Sequence, residues 1–133
     1  NGDVEDSLAI LSELYHQYAG SQMVTVQYAQ ALMHEPTQDR AIEASAVLRR
    51  HLHAHPTDLA MTELYAQAAA KAGDPVRAGE AQAESYYIRG GLDEAIEQLE
   101  RVLDNEPMDY YQRARINARI VQLRREQFRL AQR

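Results

Sequence analysis

The chain has 133 residues, 45% of them apolar and 26% charged, with a formal net charge of −6 and no cysteine. This is the length of one domain, enough to bury a core without cross-links, and the lack of cysteine excludes both a disulfide framework and a thiolate metal site. No apolar run approaches the roughly 18 residues of a membrane span.

The chain reads as helix throughout. Ala, Leu, Glu, Gln and Arg dominate, and β-branched residues never alternate over the length of a strand. The opening "NGDVED" is neither an initiator sequence nor a secretion signal, so a fragment or a mature form is expected. A first helix is expected near 4–19, ended by Gly20-Ser21, with Ser21 free to cap a second near 22–34. Pro36-Thr37 separates this from a third near 38–54. Pro56-Thr57-Asp58 closes the third and caps a fourth near 58–72. Gly73-Asp74-Pro75 places glycine after a helix, a cap residue next and proline at the first helical position of a fifth near 75–89. Gly90-Gly91 and Pro107-Met108-Asp109 bracket a sixth near 92–105, and a seventh runs near 109–131. Connections this short make neighbouring helices antiparallel.

The helices repeat. "YAQA" occurs at Tyr28–Ala31 and again at Tyr65–Ala68, a shift of 37, and "QYAQALMHEPTQDRAIEA" corresponds to "LYAQAAAKAGDPVRAGEA". A period near 34 with two helices per unit points to tetratricopeptide (TPR) repeats. In "ESYYIRGGLDEAIEQLERVLDNEP", Gly90 takes the turn position, Ala83 and Ala95 the small positions where two helices cross, Tyr86 the aromatic position, Leu99 and Val102 core positions, and Pro107 the closing proline. The unit 58–89 also fits, through Tyr65, Ala66, Gly73 and Ala78, and the unit 22–54 through Ala44, Leu48 and Pro56. Helix 75–89 thus serves in two frames and leaves the repeat phase open. The expected fold is an all-α, TPR-like, right-handed solenoid of about seven antiparallel helices forming a single domain over 1–133.

The charge is uneven. From Gln112 to Arg133 there are seven arginines and one acid, a net of +6, while the rest of the chain carries 7 basic and 19 acidic side chains, a net of −12. An acidic body with a basic last helix suggests docking by charge through Arg113, Arg115, Arg119, Arg124 and Arg125, against the plainer reading of a solvated helix face. Nucleic acid is excluded as the expected partner, because the body would repel phosphate.

Chemistry is hard to find. In "RRHLHAHP", His51 and His55 are four residues apart and form the one weak metal candidate. No carboxylate lies at helical spacing among them, since Asp58 is beyond Pro56, so neither a metal nor a cofactor is expected. Asp93, Glu94, Glu97 and Glu100 share an exposed helix face with nothing to shift their ionisation. Neither a phosphate loop nor a nucleophile motif is present. Eight tyrosines and no tryptophan leave Tyr28, Tyr87 and Tyr111 as candidates for outward-facing recognition.

The segment from Glu63 to about Glu126 resembles something narrower than a generic repeat array. "LYAQAA.KAG.P", "AESYYIRG.LDEAIEQLE" and "DYYQRARINARI" leading into a long last helix are similar to the C-terminal TPR domain of bacterial zinc metalloproteases related to the periplasmic β-barrel assembly-enhancing protease. That resemblance covers about half of the chain. It implies a non-catalytic accessory domain, a periplasmic location, and binding to the outer-membrane barrel assembly machinery or its clients. The family's His-Glu-x-x-His zinc helix is absent; His34-Glu35 is followed at once by Pro36, which breaks the helix needed for a second histidine. No catalytic residue is therefore expected here.

Groove positions carried over from the turn glycines are Glu63, Gln67, Ala70 and Lys71 for one unit and Arg77, Glu80, Glu84 and Tyr87 for the next; a shift of 37 adds Val26, Gln30, Met33 and His34. This mixed lining suits an extended or helical polypeptide rather than an acidic tail. The expected function is polypeptide binding in that groove, with a free-standing TPR adaptor or a self-assembling repeat scaffold as alternatives.

Overall fold

Seven helices follow one another in the computed structural model, which describes residues 2–133: α1 (Gly2–Gln17), α2 (Gln22–His34), α3 (Gln38–Ala54), α4 (Leu59–Ala72), α5 (Pro75–Ile88), α6 (Leu92–Asn105) and α7 (Tyr110–Ala131). There is no strand among the described residues. The punctuation works as its chemistry dictates. The side chains of Ser21, Thr37, Asp58 and Asp74 each accept from a backbone N–H in the first turn of the helix they precede, and Asp109 forms a reciprocal capping box with Gln112. Gly73 closes α4 at φ 89°, a left-handed conformation that only glycine adopts cheaply, and Gly90 takes the same φ between α5 and α6. The first helix is the element that differs most from expectation: it stops at Gln17, two residues early, and a turn closed by Ser21 N–H to Tyr18 O leads into α2.

Each helix packs chiefly on the next, the arrangement of an all-α helical repeat stack consistent with a TPR-like solenoid. Helices one hairpin apart also meet: α2 touches α4, Arg40 of α3 pairs with Glu5 of α1, and two arginines of α7 pair with glutamates of α5. The odd-numbered helices thus form one layer and the even-numbered ones the other.

The core has two parts joined at α5. The first runs from Tyr15 through Tyr28, Leu32, Leu48, Met61 and Tyr65 to Ala78 and Ala81 of α5. The second takes Val76 and Ala83 from α5 and adds Ile96, Leu99, Val102, Ile116, Ile120 and Leu123. The small residues expected at helix crossings, Ala44, Ala83 and Ala95, are fully buried, which lets the backbones approach where the larger Leu48 and Leu99 fill the space beside them.

The α5 and α6 helices pack closely at Gly79, where a Cβ would stand 2.3 Å from Val102 Cγ2. Gly79→Ala is expected to lose about 1 kcal/mol net, an overpacking cost of about 1–3 kcal/mol partly offset by better helix propensity. Denaturant melts of Gly79→Ala, Val102→Ala and the double variant check this. The double variant should lose less than the sum of the single losses, because shortening Val102 removes the clash.

Candidate binding groove

The α7 helix is held on α5 by a row of polar contacts along their facing sides. Arg115 donates from Nε and Nη2 to the two carboxylate oxygens of Glu80 at 2.8 and 2.6 Å. One turn on, Arg119 does the same to Glu84, both at 2.8 Å, and its guanidinium lies 4.9 Å from the centre of the Tyr87 ring. The Tyr87 hydroxyl donates to Glu126 at 2.9 Å. Arg124 pairs with Glu100 of α6 at 3.4 Å, and Gln127 donates to Asp93 at 2.6 Å. Paired, two-point arginine–carboxylate bonds fix direction as well as distance. The hydrogen bonds to Glu80 and Glu84 hold both guanidiniums above their usual range. Of the five arginines named for docking by charge, Arg115 and Arg119 pair with glutamates of α5 and Arg124 with one of α6, while Arg113 and Arg125 are exposed.

This docking builds one wall of a groove of about 440 Å³. Its α5 side carries Arg77, Glu80, Ala81 and Glu84, and its α7 side Arg115, Ala118, Arg119 and Gln122. Leu52, Pro56, Thr62 and Tyr65 close the end and the floor. The two glutamates are spent on Arg115 and Arg119. Arg77 is different: its side chain has neither an ion pair nor a hydrogen bond among the described residues. The groove therefore presents an apolar floor, two neutralised pairs and one available cation. Beyond the floor, Arg49 donates to the Tyr65 hydroxyl at 3.1 Å and fixes that ring.

Of the positions carried over for a groove, the structure brings together Arg77, Glu80 and Glu84, with Tyr87 beside them under Arg119. The others lie apart. Glu63 pairs with Arg89 on the flank where α4 meets α5. Gln30, His34, Gln67 and Lys71 are exposed, and Val26 and Met33 pack half-buried against the first core. The tyrosines divide differently from expectation. Tyr28 is 4% exposed and belongs to the core, in contact with the Tyr15 ring. Within the pair at the end of α5, Tyr86 is the more exposed and Tyr87 packs inward, because Tyr87 is the one that faces α7. Tyr111 is 79% exposed.

What the sequence reading missed is the contribution of α7, with Leu52, Thr62 and Tyr65. One signal was there. The pairs Glu80–Arg115 and Glu84–Arg119 are each 35 residues apart, and so is Glu5–Arg40. That separation is one helical hairpin, so opposite charges at one repeat period mark helices lying side by side in a layer.

His51 and His55 do not converge as metal ligands would. Their rings stack with centroids 4.8 Å apart, and His51 Nε2 is engaged with Asp58 Oδ2 at 2.8 Å in a buried position. The fold thus returns Asp58 to His51 despite the intervening proline, and the same carboxylate caps α4. Among the described residues no three metal-binding side chains gather. Asp93, Glu94 and Glu97 are exposed. Among the described residues no helix is long and apolar enough to cross a membrane.

No protein-family model matches this chain, and no curated protein matches it.

The Tyr87–Glu126 bond gives the docked helix an alkaline limit. The hydrogen bond to Glu126, then burial, holds the Tyr87 hydroxyl above its ordinary range. The native state keeps a proton that the unfolded chain releases near pH 10. The contribution is therefore complete below about pH 10 and is lost as pH rises through the native value, where tyrosinate and carboxylate repel. Urea melts of wild type and Tyr87→Phe should differ by about 0.5–1.5 kcal/mol at pH 8, and the difference should shrink steadily above pH 10.

Proposed function

We propose that this chain is a non-catalytic polypeptide-binding domain, and that the groove between α5 and α7 holds an extended or helical segment of its partner. The observation that carries this reading is the groove itself: an apolar lining that includes Leu52, Tyr65, Ala81 and Ala118, beside the unpartnered guanidinium of Arg77. Such a lining takes apolar side chains in its floor and one carboxylate or backbone carbonyl at Arg77, which suits transient recognition at about micromolar affinity. The biological setting that fits the sequence resemblance is the accessory TPR domain of a periplasmic zinc metalloprotease, with the outer-membrane barrel assembly machinery or its clients as partner. A free-standing TPR adaptor is the alternative setting.

Selection of peptides from a random library on the immobilised chain, followed by fluorescence anisotropy of the selected sequences, tests the binding site. Arg77→Glu and Ala118→Trp should each weaken binding at least tenfold, about 1.4 kcal/mol, with the melting temperature unchanged. Ala118 is exposed, so the added ring fills the groove without entering the core. Peptides that bind both variants as well as wild type would place the site elsewhere. The protease setting is tested separately by the flanking coding sequence, which should hold a His-Glu-x-x-His helix and a secretion signal; an upstream reading frame without them removes that setting and leaves the adaptor.

A further inference from the structure

We infer that the occupant of the groove is an extended internal segment of the partner, held by an acidic side chain on Arg77, by an apolar side chain two residues on between Ala81 and Ala118, and by Tyr111 against the residue on the far side of the acid. This rests on the groove reading above. It adds the shape of the bound chain and one binding residue, Tyr111, that lies outside the recess.

Arg115 meets Glu80 and Arg119 meets Glu84, so α5 and α7 run side by side at a constant offset of 35 residues. One turn before Arg115 stands Tyr111, which the same offset sets level with Val76, next to Arg77. Positions 111, 115, 118 and 122 share one helix face, and the last three of them line the groove. Tyr111 is 79% exposed, and Tyr110 packs edge-on against its ring with centroids 5.7 Å apart. The Tyr111 hydroxyl has no partner among the described residues. Successive helices are antiparallel, so the C-terminal end of α3, with Leu52 and Pro56, closes the groove toward Glu84. Arg77 and Tyr111 flank the opposite end, which is open.

The width of the groove selects the backbone. About 440 Å³ spread over the roughly 10.5 Å from Arg77 to Glu84 makes a channel about 7 Å across, too narrow for a helix of about 10–12 Å with its side chains. One extended chain occupies about 5 Å beside its neighbours. The spacing agrees. Ala81 lies four helical residues beyond Arg77, about 6 Å, and side chains on one face of an extended chain recur every two residues, about 6.6 Å. Ala81 and Ala118 are the smallest side chains of the lining, so that step is where an apolar side chain finds room. An extended chain also brings unpaired main-chain groups. The Gln122 carboxamide oxygen accepts from Arg119 at 3.1 Å, which leaves its NH2 group to donate to a main-chain carbonyl.

Charge selects the group at the mouth. Arg77 is half-buried and unpaired, so a carboxylate gains a charge-assisted bond there. Asp74 and Asp109, the caps of α5 and α7, stand at the same level on the two walls. They repel a second negative charge, which disfavours a phosphate. A chain-terminal carboxylate on Arg77 would end the partner short of Tyr111. The exposed ring beyond the cation therefore fits a chain that continues past its acid.

The probes are the library-selected peptides, synthesised with acetylated and amidated ends and measured by fluorescence anisotropy. They should share an acid with an apolar residue two positions away. Changing that acid to its amide should weaken binding at least fivefold to the wild-type chain and less than twofold to Arg77→Gln, since the two changes remove the same contact. Tyr111→Ser should weaken binding three- to tenfold. Tyr110→Ser, equally exposed but on another helix face, should cost less than twofold. Proline between the acid and the apolar residue should cost less than threefold, whereas a helical occupant would lose more than tenfold. An unchanged melting temperature confirms that each variant is folded. Any of these results outside its bounds, or binding that needs a free C-terminal carboxylate, overturns the inference; if Ala118→Trp still blocks binding, the groove reading stands. Peptides that bind Ala118→Trp as well as wild type, or a library that yields no binder, remove both.

Discussion

Leu99→Ala is expected to lose about 3–4 kcal/mol of stability, near the middle of the range for deleting a fully buried leucine, and to lower the melting temperature by roughly 10 °C or more. Leu99 is 1% exposed and sits where α6 faces α5 and α7. Truncation leaves a cavity among Ile96, Val102, Ile116 and Ile120, which are fixed to their own helices and cannot all close on it. The loss should also have a place. The core divides at α5, and in a stack stabilised by nearest-neighbour contacts a weakened segment opens before the rest. Hydrogen exchange of Leu99→Ala should show protection falling first in α6 and α7. In Leu48→Ala, which empties a site of similar depth in the first core, α2 to α4 should lose protection first. Equal loss in all helices in both variants would mean that the two cores unfold as one cooperative unit.

The second large effect concerns the wall of the groove. Arg119→Glu removes two hydrogen bonds to Glu84 and a cation from the Tyr87 ring, and it sets two carboxylates against each other. Both side chains are about a third exposed, so solvent screens the pair and the cost is expected to be about 2 kcal/mol, below that of a buried pair. The exchange Glu84→Arg with Arg119→Glu should recover more than half of it, which a purely steric effect would not allow. Urea melts of the four proteins in this cycle measure the coupling. If the groove binds as proposed, Arg119→Glu should also weaken peptide binding more than its loss of stability explains, because two carboxylates then repel each other at the groove wall. A reversal that costs less than about 0.5 kcal/mol would mean that the Arg119–Glu84 pair adds little to the hold on the last helix, which then rests on its other contacts, among them Ile116, Ile120 and Leu123.

Most of the fold was legible in the order of residues. Helix boundaries came from local chemistry: caps at Ser21, Thr37, Asp58, Asp74 and Asp109, and left-handed glycines at 73 and 90. These devices act within a few residues, so a linear reading reaches them. Core positions such as Ala83, Ala95, Leu99 and Val102 followed from the repeat, since a helix hairpin reuses the same spacing wherever it packs. The mid-helix Gly79 was not marked as a packing position, because its meaning is the distance to Val102 on another helix.

The site was less legible for the same reason. Which side of α5 faces α7 depends on the angle at which successive hairpins stack, and no single helix encodes that angle. Two repeat frames assigned groove positions to both α4 and α5; only packing separated Glu63, paired on a flank, from Glu80 and Glu84, paired across the groove. Tyr86 and Tyr87 are neighbours in sequence, and the position of α7 chose the second for burial. His51 and Asp58 are separated by a proline, and the tight turn that follows α3 joined them. What the sequence by itself determined is therefore the set of helices, their ends and the acidic body with its basic last helix, because propensity, capping and charge are local. The tertiary structure alone decided which charges meet, which carboxylates they consume and which guanidinium stays free in the groove, because those are distances between helices that the chain order does not hold.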